Sequence, residues 1–256
     1  MFAAVLYKKA LLLVRYPVNT GARILSVYMF FAIVFFGGKA AAGQMGGGVS
    51  LTSTLEGLIV GWFLWTMSII AYFSLSGNVT REAQWGTLEQ LYMSPYGFGS
   101  VMASMVVANL LESMVWGGVI LALMLATTSQ TLSVHLPTVV PISVLALLSV
   151  VGIGFVFAGL ALVYKRIENV SQIMQFAIVG LIAAPAAGIS PLRFLPLVQG
   201  SDMLQVAMRE GVRLWEFSAA DLTVLAGTAV AYSLAGYAVF RYFAQLARRR
   251  GVMGHY

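Results

Sequence analysis

Long apolar runs, broken only by short polar segments, dominate this chain. They lie at about Ala22–Gly38, Gly57–Gly77, Ser100–Ala126, Val139–Tyr164, Ile173–Ile189 and Leu222–Phe243. A helix that crosses a bilayer needs about 20 predominantly apolar residues, and each run comes near or beyond that length. Inside lipid every backbone N–H and C=O must be satisfied within the segment, which leaves helices and closed barrels. The alternating ten-residue pattern of a membrane barrel is absent. The expected fold class is therefore an all-α membrane protein with six transmembrane helices.

Composition supports this reading. Of the 256 residues 60% are hydrophobic and only 9% charged, whereas soluble domains carry about 25% charge. Too little charge remains to cover a water-facing surface. The chain has no cysteine, which excludes disulfides and thiolate chemistry. The formal net charge of +6 suggests nucleic-acid affinity only until its distribution is read. With the N-terminus inside, eleven basic residues fall on the inner side, from Lys8, Lys9, Arg15 and Arg23 through Arg81, Lys165, Arg166 and Arg241 to Arg248–Arg250. Lys39, Arg193, Arg209 and Arg213 fall outside. The positive-inside bias then predicts a multi-pass protein of the plasma (inner) membrane with both termini cytoplasmic, and no nucleic-acid partner.

Residues 1–18 read as an interfacial helix rather than a cleaved signal. Lys8 and Lys9 interrupt the apolar stretch, their stems are long enough to snorkel, and Pro17 breaks the pattern. Residues 190–220 form a mixed external segment. Pro191 and Pro196 suggest a re-entrant or surface-lying course, Asp202 is a candidate helix cap with Gln205 at the reciprocal position, and Gly211 is a plausible stop. Small residues four apart, as in Gly57/Gly61, Gly154/Ala158 and Gly180/Ala184/Gly188, read as helix-packing positions.

The most informative polar stretch is Thr80–Tyr96, TREAQWGTLEQLYMSPY, between the second and third runs. Thr87 can N-cap a short helix with Gln90 returning the bond, Leu88, Leu91 and Tyr92 share a face, and Pro95 ends it. Such an island is either a solvated loop or a docking element, and its helix grammar favours docking. Glu112 stands near the middle of the third run with no basic residue placed to pair with it. An ionisable group at that depth is costly and is a functional candidate by default; the plainer alternative is a hydrogen bond to a neighbouring helix. No catalytic constellation appears. Gly37-Gly38-Lys39 lacks the spacing and the Ser/Thr of a phosphate-binding loop, and His135 and His255 are too isolated to form a metal cluster.

The island and its place in the chain resemble the permeases of ABC-2-type transporters, which have a cytoplasmic segment of the form E-x-E-x-G-T-L-E-x-L-x-x-S/T-P after span two. Here it runs from Glu82 to Pro95, with Gln84 in place of the second glutamate. Arg15-Tyr16-Pro17 and the Pro191–Pro196 pattern extend the similarity over nearly the whole chain, nearest the drug- and antibiotic-exporting branch. The resemblance implies a single transmembrane domain over 1–256 and a coupling helix within 80–96. Glu82, Gly86, Thr87, Leu88, Glu89, Leu91 and Tyr92 would meet a separate ABC ATPase, and Lys165, Arg166 and Glu168 would make a second cytoplasmic contact. It implies a second permease chain, identical or not, and no cofactor in this chain, since ATP and Mg would belong to the partner. The cargo would be a hydrophobic or amphipathic small molecule or a lipid. Export of a polysaccharide or glycolipid, transport without an ATPase and a membrane-embedded enzyme are the alternatives. The aromatic residues of the first two runs, Phe30, Phe31, Trp62 and Trp65 among them, are either walls of a path or lipid-facing belts.

Overall fold

The computed structural model describes residues 7, 11, 15–44, 51–84, 93, 98–164 and 168–249. Among them the chain is all-helical, with no strand. The long helices are α1 (Pro17–Gln44), α2 (Leu51–Gln84), α3 (Phe98–Thr128), α4 (Leu136–Tyr164) and α7 (Ala219–Arg249). Each is long and apolar enough to cross a membrane. Between α4 and α7 lie two shorter helices, α5 (Glu168–Ala183) and α6 (Val198–Glu210), with 3-10 turns at Ala184–Ala187, Ser190–Phe194 and Leu214–Glu216.

The described residues thus hold five helices of spanning length, against six expected. The fifth apolar run was read through to Ile189, but its α-helix stops at Ala183. Pro185 has no N–H to continue the ladder, and Gly188, at φ 65°, turns the chain in the left-handed region open to glycine. Other helices outrun their apolar runs. α2 continues to Gln84 through the first residues of the polar island, where Thr80 donates to the Ser76 carbonyl at 2.9 Å and Arg81 bonds the Asn78 side chain.

α2 and α4 form the centre. Tyr72 of α2 is wholly buried and meets Phe157 of α4 edge-on at 5.4 Å, where Gly154 gives the Tyr72 backbone room to approach. α3 packs on the other side of α2, with Gly117 against Met67 and Phe63. α7 packs along α4 most intimately. Neither Gly152, against the Tyr232 backbone, nor Gly236, against the Gly152 backbone, leaves room for a Cβ, and Ser233 donates to the Leu148 carbonyl across the seam at 2.8 Å. α1 lies antiparallel to α2, joined to it by Phe30, Phe31, Trp62 and Trp65, whose ring centroids are 5.0–6.4 Å apart.

α6 seats against one end of the bundle. Its buried face, which includes Val198, Gly200, Met203, Leu204 and Ala207, enters between α2 and α4, where Gly200 passes Ala146 with no room for a side chain. Asp202 does not cap this helix. The cap is Leu197, itself in the left-handed region at φ 72°, and its N–H is received by the buried Ser149 hydroxyl at 2.9 Å. Gly211 is the stop, at φ 76°, as expected from sequence.

Candidate functional site

Glu112 sits near the midpoint of the 31-residue helix α3, as its one charged residue, with the buried Asn109 and Ser113 close by. It has a basic neighbour, contrary to the expectation from sequence: the Arg23 guanidinium lies 4.0 Å from its carboxylate. Arg23 also stacks over the Trp116 ring at 5.3 Å. Counted by hydropathy, Arg23 belongs to the inner membrane surface. The structure instead sets α1 deep against α2 and α3, so that its second turn meets the middle of both. With Arg23 removed from the inner count, the basic bias keeps its sign.

Beside this pair is a cavity of about 220 Å³, lined by α1, α2, α3 and Gln175 of α5. Its walls include Val27, Trp65, Ile69, Trp116 and Ile120, and Arg23 reaches into it. Arg23 is 45% exposed and Glu112 17%, so the cation faces the opening and the carboxylate stands behind it. The indole nitrogens of Trp65 and Trp116 are buried with no acceptor, while the Thr66 hydroxyl is satisfied by the Trp62 carbonyl at 2.9 Å. Of the aromatic residues read from sequence as walls or belts, Phe31, Phe35, Phe63 and Tyr72 are core packing, Phe30 and Phe36 are exposed, and Trp65 lines the cavity.

The end of the bundle that carries α6 is held by polar contacts. Arg209 lies 3.9 Å from Glu56 at the start of α2, Gln205 donates to the Gly57 carbonyl at 3.1 Å, and Ser201 donates to the Ile182 carbonyl at 2.8 Å. Gln199 donates to Asp221 at 3.2 Å. The Met208 carbonyl accepts from the Ser133 N–H at 2.8 Å. Asp202 is on the exposed side of α6; partial burial, and then the charges of Asp221 and Glu210, push its carboxyl above the ordinary range.

Of the residues predicted to couple to an ATPase, Gly86, Thr87, Leu88, Glu89, Leu91 and Tyr92 lie outside the described residues, as do Lys165 and Arg166. Glu82 is in the last turn of α2 and Glu168 opens α5. Most of the interfacial helix read over 1–18 also lies outside them, though Tyr7, Leu11 and Tyr16 are exposed. No group of His, Cys, Asp and Glu able to hold a metal occurs among the described residues. The feature that sequence reasoning missed is Arg23. Its signal was present: Arg23 stands inside the first apolar run, Ala22–Gly38.

Comparison with protein-family models, with curated proteins and with solved structures found no match to this chain.

Proposed function

We propose that this chain is the permease subunit of an ABC-type exporter, which moves a hydrophobic or amphipathic molecule across the membrane with energy from a separate ATPase. The observation that carries the reading is the segment Gly86-Thr87-Leu88-Glu89-Gln90-Leu91 through Ser94-Pro95, standing directly beyond the end of α2 and before α3. A short helix there, fixed to two rigid spanning helices, would transmit a push from a docked ATPase into the bundle. The charged pair at the middle of α3, facing a cavity, supports a path for cargo between the helices. In this reading α5 and its 3-10 turns complete a sixth crossing, both termini are cytoplasmic, α6 closes the external end, and two permease chains work with two ATPase chains in the plasma membrane. ATP and Mg are bound by the partner, and this chain performs no chemistry itself.

The test is Leu91→Asp. An aspartate entering an apolar docking groove would have to give up its water, so the partner ATPase should be lost from affinity purifications while membrane insertion and the helical spectrum stay normal. Full retention of the ATPase by the variant would overturn the assignment of the coupling segment.

A further inference from the structure

We propose that the cavity beside Arg23 binds an amphipathic molecule through an anionic oxygen group, a carboxylate or a phosphate, with its apolar body against Trp65, Trp116 and Ile120. The inference deepens the permease reading, on which its role in transport rests; the binding itself requires no ATPase.

An arginine set at the middle of spanning helices is costly unless its charge and its donors are met. Here they are met only in part. The guanidinium has five N–H donors, and the carboxylate beside it among the described residues lies 4.0 Å away, beyond hydrogen-bond length. The Trp116 face takes one side of the cation, and the other side is open to the cavity. The other polar groups in the lining, the Gln175 carboxamide and the Thr66 hydroxyl, are neutral. What the guanidinium lacks is therefore a negatively charged acceptor at hydrogen-bond distance. A cationic ligand fits poorly, because Arg23 lines the cavity and Glu112 does not. Glu112 stands behind the guanidinium and balances part of its charge without bonding it. At about 220 Å³ the cavity is smaller than the roughly 300–1,000 Å³ of sites that enclose a whole drug-sized ligand. It takes the head of the molecule and the first part of its apolar body, and the rest leaves through the opening.

The experiment uses the full chain, purified in a neutral detergent, and follows quenching of tryptophan fluorescence by three brominated probes: dibromostearic acid as its anion, dibromostearyl alcohol and a dibrominated phosphatidic acid. The expected result is saturable quenching by the acid at a concentration about tenfold below that for the alcohol, the scale of a hydrogen bond to a charged group. Arg23→Gln should bring the acid to the level of the alcohol, Arg23→Lys should keep most of the preference, and Trp65→Phe should diminish the quenching. Glu112→Gln frees the guanidinium of its counter-charge and should leave acid binding equal or tighter. Phosphatidic acid binding at least as well as the free acid would identify a lipid headgroup as the source of the anion. Binding of the free acid alone would identify a free amphiphile. Equal affinity of the unaltered chain for acid and alcohol would overturn the proposal without recourse to any variant. So would an unchanged preference in a helical, monodisperse Arg23→Gln, or loss of acid binding confined to Glu112→Gln. Because no nucleotide or partner is present, such a failure leaves ATPase docking untouched, and loss of ATPase docking leaves this measurement standing.

Discussion

Gly236→Ala is expected to damage the fold far more than its size suggests. A methyl at Gly236 would overlap the carbonyl oxygen of Gly152 and stand 2.6 Å from its carbonyl carbon and Cα. These are backbone atoms, so no rotamer change relieves the clash. Reaching ordinary contact at 3.4 Å from that oxygen requires the two backbones to part by about 1.4 Å, with loss of dispersion along the seam. Overpacking of this kind costs about 1–3 kcal/mol. Parting the helices also stretches the bond from Ser233 to the Leu148 carbonyl, worth about 0.5–1.5 kcal/mol. Against this stands a gain of up to about 1 kcal/mol for alanine over glycine within a helix, leaving a net loss of roughly 0.5–3.5 kcal/mol. Gly227 is the control: it lies on the same helix, and a methyl there meets nothing within 4 Å. Gly227→Ala should be neutral or slightly stabilising. The assay is unfolding by a denaturing detergent, followed by far-UV circular dichroism. The reasoning is refuted if Gly236→Ala unfolds with the unaltered chain, or if Gly227→Ala is equally damaging.

Ser149→Ala should loosen the end of the bundle that holds α6. It strands the buried Leu197 N–H at a cost of about 1–3 kcal/mol, and hydrogen exchange at the start of α6 should speed up while that of α3 does not. Arg209→Ala should change stability by less than about 1 kcal/mol, because its partner Glu56 is 3.9 Å away and both are partly exposed. Asp202 carries a raised folded-state pKa, so the folded chain holds this proton more tightly than the unfolded chain. Ionisation at Asp202 therefore disfavours the fold: stability falls as pH rises from the ordinary carboxylate value through the raised one. Asp202→Asn should stabilise the chain near neutral pH and have little effect in acid, as pH-dependent unfolding curves would show.

The helical class was legible because it follows from local chemistry: apolar length, scarce charge and the need to satisfy the backbone in lipid. Gly211 was legible too, since a left-handed stop favours glycine whatever the tertiary structure. What was not legible depends on how far one helix slides along another. Hydropathy puts Arg23 at a surface, and only the docking of α1 against α2 and α3 brings it to Glu112. The small-residue spacings met the same obstacle. Gly154 does admit the Tyr72 backbone, but Gly180 meets nothing, and the closest seam uses Gly152 and Gly236, which no spacing within a single helix reveals. Asp202 looked like a cap because caps are usually polar. The true cap, Leu197, is held by a hydroxyl from α4, a partner distant in sequence.

The central claim is that this chain works with an ATPase, and its most direct test is native mass spectrometry of the tagged chain purified from its own membranes in the presence of a non-hydrolysable ATP analogue. The account predicts a complex in which ATPase chains equal permease chains in number, with a second six-span chain beside this one if the pair is asymmetric. Masses built only from multiples of the 27.5 kDa chain, under every nucleotide condition, would contradict it.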